Sequence, residues 1–74
     1  MYELHLRLTE YLTFAISTEM LESWLVSHLQ EILDSGDAEA IGIANKVDAA
    51  LIQLREAILT KQELRKLISD LVVS

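Results

Sequence analysis

A chain of 74 residues with no cysteine makes one small domain, closed to disulfides and to thiolate metal sites. Half of it is apolar (51%), mostly leucine, isoleucine and alanine, with no proline, which favours helices and more apolar surface than so small a core can bury. Twelve acidic residues against six basic ones (net −6) argue against non-specific binding to a phosphate backbone; the excess lies in residues 1–37, with seven acids and Arg7, whereas residues 38–74 carry five of each sign.

Four helical segments follow one another without a linker or low-complexity run. Leu4, Leu8, Tyr11, Leu12 and Ala15 share a helical face and predict a first helix over residues 2–15. Tyr2, Leu4, Leu6 and Leu8 also alternate as in a strand, but no second strand is present in the sequence to pair with it. Ser17 is a good N-cap for the second helix, with Ile16 and Leu21 as a hydrophobic staple and Glu19 and Glu22 complementing the dipole. Its apolar face reads Leu21, Trp24, Leu25, Leu29, Ile32 and Leu33, and Gly36 ends it in the left-handed conformation. Asp37 caps the third and longest helix, predicted over residues 38–59, with Ala40, Ala44, Val47, Leu51, Leu54 and Ile58 spaced as in a bundle helix. Thr60 and Glu63 form a capping box for the fourth, beside a Leu59/Leu64 staple, and Leu64, Leu67, Ile68, Leu71 and Val72 make its buried face. Ile16-Ser17, Leu21, Trp24, Leu25 and Leu29 match Leu59-Thr60, Leu64, Leu67, Ile68 and Val72 at one constant offset. Either the hairpin is duplicated or two helices obey the same capping and packing rules; the second reading is preferred.

Chemistry has few candidates. His28 falls among Leu21, Trp24 and Ile32, which suits a neutral imidazole at the edge of a core better than a metal ligand, since only His5 and Glu31 offer themselves as companions. No serine sits in a glycine-flanked elbow, and Gly36 and Gly42 stand alone, so neither a nucleophile elbow nor a phosphate loop is expected. Lys61, Arg65 and Lys66 on the fourth helix suggest a DNA-recognition helix, but Glu63 and Asp70 flank them in an acidic chain. Residues 1–17 lack a basic start and are interrupted by Glu3, Arg7 and Glu10, so no leader is expected. The longest unbroken apolar run is residues 49–52, too short for a membrane span.

The third helix carries the better clue. Beside its main apolar face run Asp48 and Arg55 and then a second strip of Ile41, Ile52 and Leu59, which a small monomer rarely buries: either the strip is an interface or the third helix is central, surrounded by the other three. A symmetric homodimer on antiparallel third helices would set Asp48 of one chain against Arg55 of the other, with Ile41, Ile52 and Leu59 along the seam. Leu6, Phe14 and Val26 also lie off the main faces of their helices and are the alternative interface.

From Phe14 to Ile68 the chain resembles one type of short, uncharacterised bacterial all-helical protein, on Ile16-Ser17, Leu21-Glu22, Trp24-Leu25-Val26, and Thr60 with Glu63-Leu64-Arg65. The resemblance implies a helical fold and a bacterial origin, and no activity. The fold expected is all-α, a single domain over residues 1–74 built as a small four-helix bundle of two antiparallel helical hairpins. The function expected is that of a cytoplasmic, self-associating protein–protein interaction module with no catalytic activity, cofactor, metal, nucleic acid or membrane partner. Its interface residues are Ile41, Asp48, Ile52, Arg55 and Leu59. The alternatives are an inhibitor or immunity-type protein that masks a basic partner through Glu19, Glu22, Glu31, Asp34 and Asp37, and a DNA-binding regulator using the fourth helix.

Overall fold

A computed structural model describes residues 2–73. They form four helices, α1 (Tyr2–Leu12), α2 (Thr18–Asp34), α3 (Ala38–Arg55) and α4 (Lys61–Val73), and no strand occurs among the described residues. The alternating leucines of α1 are helical: Leu4, Leu8 and Tyr11 share its buried face, while Tyr2 is exposed and Leu6 half-buried.

Local chemistry starts each of the last three helices where the sequence places it. The Ser17 side chain accepts the Met20 N–H (3.1 Å), and Asp37 accepts the Ala40 N–H (3.2 Å). At α4 the capping box is complete. The Thr60 hydroxyl accepts the Glu63 N–H (3.1 Å), and Glu63 Oε1 accepts the Thr60 N–H (3.0 Å). Gly36 takes the left-handed φ of 73° that ends α2.

Two helix ends differ from expectation, for one reason. Helix α1 stops at Leu12 rather than Ala15, and α3 stops at Arg55 rather than Leu59. In each the chain turns through a non-glycine residue in the left-handed region, Phe14 (φ 64°) and Ala57 (φ 61°). Around Phe14 the Ala15 N–H reaches the Glu10 carbonyl and the Phe14 N–H that of Tyr11. Around Ala57 the Ile58 N–H reaches Gln53 and the Ala57 N–H reaches Leu54. These are paired Schellman turns, which satisfy the last helical carbonyls. An L-residue there costs about 1–2 kcal/mol, so no glycine advertises either turn in the sequence.

The helices close into a ring in which α1 and α3 each pack against both α2 and α4, giving a four-helix bundle of two antiparallel hairpins. Leu8, Leu21, Ile32, Val47, Leu64 and Ile68 are among the side chains sealed inside, each worth roughly 1.5–3 kcal/mol of transfer free energy. The buried Tyr11 hydroxyl shares a hydrogen bond with the equally buried Thr18 (3.0 Å), and among the described residues no buried side-chain polar atom lacks a partner. Leu33 and Ile58, expected in the core, are exposed instead. Ile58 is carried out of α3 by the Ala57 turn, and Leu33 lies on the flank of α2 that borders α3.

Candidate interaction surfaces

Of the residues expected at a dimer seam, Ile41, Asp48, Ile52 and Arg55 share the flank of α3 that turns toward α2. Arg55 already has a partner there, an ion pair with Glu22 of α2 in the same chain. That pair marks one end of the α2/α3 contact, and the short Ser35–Asp37 connection marks the other. The two helices therefore run antiparallel with Val26 level with Asp48 and Ile52, and Leu33 level with Ile41. Ile52 is 43% exposed, Val26 67% and Leu33 40%. Ile41 and Asp48 are half-buried, with Ile41 packed against the core. Leu59 does not belong to the strip: it lies beyond the end of α3 and packs half-buried on the core. Val26 and Leu33 extend the surface onto α2.

Other sequence candidates are tied up in the fold. Glu22 is paired with Arg55, Asp34 accepts from Gln30 (3.0 Å), and Asp37 caps α3, so of the acidic set only Glu19 and Glu31 keep no structural duty described above. The Ala40 N–H that Asp37 accepts holds its carboxyl below the ordinary aspartate range, and the Thr60 N–H does the same for Glu63. Arg65 points inward from α4: its Nη1 donates to the Tyr11 carbonyl (2.7 Å), and its guanidinium lies between the rings of Tyr11 (4.2 Å) and Phe14 (4.1 Å). It thus neutralises the carbonyl end of α1, which removes the central residue from any DNA-recognition surface.

Each hairpin also has a groove between its two helices, and the two grooves are built alike. The α1/α2 groove is lined by Arg7, Glu10, Ile16, Met20, Ser23, Trp24, Ser27 and His28. The α3/α4 groove is lined by Lys46, Leu59, Glu63, Lys66, Leu67, Asp70 and Leu71. At the offset that relates the hairpins, Ile16 falls on Leu59, Met20 on Glu63, Ser23 on Lys66, Trp24 on Leu67, Ser27 on Asp70 and His28 on Leu71. The grooves are also similar in size, about 500 and 570 Å³. Their chemistry differs, because each charged α4 residue that lines its groove, Glu63, Lys66 and Asp70, has an uncharged counterpart on α2.

In the α1/α2 groove Trp24 and His28 stack, with ring centroids 4.6 Å apart and planes inclined by 15°. His28 Nδ1–H donates to the Trp24 carbonyl (2.8 Å). Since a carbonyl only accepts, Nδ1 carries the proton, and in the neutral imidazole Nε2 is then the acceptor. Arg7, paired with Glu10, places its guanidinium 6.0 Å from the Trp24 ring centre, at the limit of a cation–π contact. Met20 is 57% exposed. Among the described residues no three His, Cys, Asp or Glu side chains gather where a metal could sit, and no helix is long and apolar enough to cross a membrane.

No protein-family model, curated protein or solved structure matches the chain. At sequence level Trp24 reads as part of the buried face of the second helix and His28 as a residue at its edge, so no groove is marked there. The signal available was the mismatch between Met20 and Glu63 within two hairpins whose caps and buried positions match.

Proposed function

We propose that the protein is a small acidic interaction module of the cytoplasm that acts by binding rather than catalysis and associates with a second copy of itself through the α2/α3 shoulder. The supporting observation is the row of apolar side chains left in solvent across two adjacent helices: Val26 and Leu33 on α2 beside Ile52 on α3. Scattered exposed apolar residues are ordinary, but a row spanning two helices is the makings of an interface. A two-fold axis through this shoulder would present the row to its own copy and use each contact twice. The Asp48–Arg55 cross-chain pair is a secondary feature, since Arg55 would have to exchange Glu22 for Asp48 and desolvation offsets much of what such a pair gains.

Sedimentation at tens of micromolar, a rough range in which a complex worth about 8 kcal/mol would still associate, tests the reading. Wild type is expected to sediment as a dimer, and Ile52→Glu and Val26→Glu as monomers with the helical spectrum intact. A monomeric wild type, or a dimer indifferent to both substitutions, would reject this surface.

A further inference from the structure

We propose that the α1/α2 groove is a docking site for a cationic amphipathic helix of a partner protein, with its apolar side on Met20 and Trp24 and its basic side toward the carboxylates around them.

The fold supplies its own control. The α3/α4 groove shows what folding requires at these positions, and it is satisfied by Glu63, Lys66, Leu67, Asp70 and Leu71. Trp24 packs on the core as Leu67 does, but nothing in a helical hairpin of this design asks for Met20, or for two stacked rings where leucines suffice, yet the α1/α2 groove has them. Met20 is the most telling, because it occupies the place where Glu63 reaches back to the Thr60 N–H. Helix α2 keeps the Ser17 half of that motif, and Met20 cannot supply the other half. An exposed methionine stands where a capping carboxylate would favour the fold. An adaptable, exposed Met beside a half-buried Trp that still shows a face to the groove is what a helix-binding surface uses.

The dimensions suit a helix. Met20, Trp24, Ser27 and Glu31 recur at spacings of four, three and four along one stripe of α2, about 16 Å, which is three turns of an opposing helix. Charge selects its character. Helices α1 and α2 together hold one cation, Arg7, already paired with Glu10, whereas Glu3 and Glu31 are exposed acids; Glu19 is exposed too but lies on the other flank of α2, beside Arg55 and Lys61. A second copy facing this groove with its own α1/α2 half, where the whole charge excess lies, would meet like charge, so that occupant is opposed here. A lysine- and arginine-bearing helix meets complementary charge, and His28 Nε2 offers its donors an acceptor whose tautomer is already set.

Trp24 is the only tryptophan, so the groove carries its own fluorescent probe. The experiment titrates the full chain with three synthetic peptides of about 18 residues, five helical turns: an amphipathic leucine–lysine helix, its leucine–glutamate counterpart, and a lysine-only peptide. The leucine–lysine helix is expected to shift Trp24 emission to shorter wavelength, saturably, with affinity falling as salt rises. The other two are expected to leave it unmoved. Met20→Glu and Ser23→Lys give α2 the residues that α4 carries at the same places, and each should weaken binding roughly tenfold or more with the fold intact. Met20→Glu adds an acid, so weaker binding of a cationic peptide to it isolates the apolar anchor from simple charge attraction. No shift with the leucine–lysine helix, an equal shift with either control peptide, or affinity unchanged in both variants would overturn the proposal.

Discussion

The two hairpins are close to being one structure used twice. Each has a first helix ended by a left-handed, non-glycine Schellman turn, a hydroxyl N-cap three residues further on, and a second helix buried at matching positions, Leu21 and Leu25 in one and Leu64 and Ile68 in the other. Against that shared frame the residues that differ stand out. Position N3 of the second helix is Met20 in one hairpin and the capping Glu63 in the other. The position two residues beyond is Glu22 in one, paired with an exposed arginine, and Arg65 in the other, lodged between two rings. The frame is therefore what this fold needs, and the departures from it separate side chains that stabilise from side chains that bind.

The largest departure lies at the crossing contacts. Arg65 donates to the Tyr11 carbonyl at the end of α1 and stacks on Tyr11 and Phe14, while Glu22 meets Arg55 at the end of α3 in solvent. Arg65→Ala is expected to destabilise the protein by about 1.5 kcal/mol, through a charge-assisted hydrogen bond and two cation–π contacts. Glu22→Ala should cost about 0.5 kcal/mol or less, as exposed ion pairs do. Urea denaturation of the two variants measures the difference, and equal losses would mean that the two crossings are energetically alike.

The left-handed turns sharpen the contrast. Ala57→Gly removes backbone strain and touches no described side-chain partner, so it should stabilise by about 1 kcal/mol. Phe14→Gly relieves the same strain but takes away a ring lying 4.1 Å from the Arg65 guanidinium, so its gain should be smaller or absent. Thermal melts that rise equally for both would show that the Phe14 stack contributes nothing.

The caps give the smallest effects, in opposite directions. Thr60→Ala should lose about 1 kcal/mol, seen as a lower urea midpoint at unchanged slope. Met20→Glu should gain about 0.5 kcal/mol by completing at α2 the box that α4 already has, while damaging the proposed groove. A gain in stability together with a loss of peptide binding would mark Met20 as a residue kept for function. The cap also has a pH signature. Its hydrogen bond to the Thr60 N–H lowers the native pKa of Glu63, so the unfolded chain binds the proton more readily and stability rises with pH through that window. The contribution is complete above the ordinary glutamate range, from about pH 5 upward, and is lost as pH falls through the depressed native value. Glu63→Gln keeps an acceptor without the charge, so its deficit against wild type at pH 7 should narrow steadily as pH falls below the ordinary glutamate range; a deficit that does not change with pH would mean that the carboxylate's charge is not what the cap uses.

Much of the architecture was legible because its determinants are local. A cap and its N–H lie within three residues of each other, a staple within five, and a helical stripe repeats every turn, so Ser17, Asp37, Thr60 with Glu63, and Gly36 could be placed from the sequence alone. The matching hairpins were visible too, because Leu21 and Leu25 recur as Leu64 and Ile68. The helix ends at Phe14 and Ala57 were not, since a phenylalanine and an alanine carry no mark of a left-handed φ. Tertiary contacts alone decided the rest. Arg65 and Tyr11 are 54 positions apart, Arg55 and Glu22 33, and whether such residues meet depends on the rotation and register of whole helices. The same register leaves Leu33 in water and sets Val26 level with Ile52, whereas the Ala57 turn is what takes Ile58 and Leu59 off the α3 strip. A pattern of spacings defines a helix's apolar face; the neighbours packed against that face determine how much of it is buried.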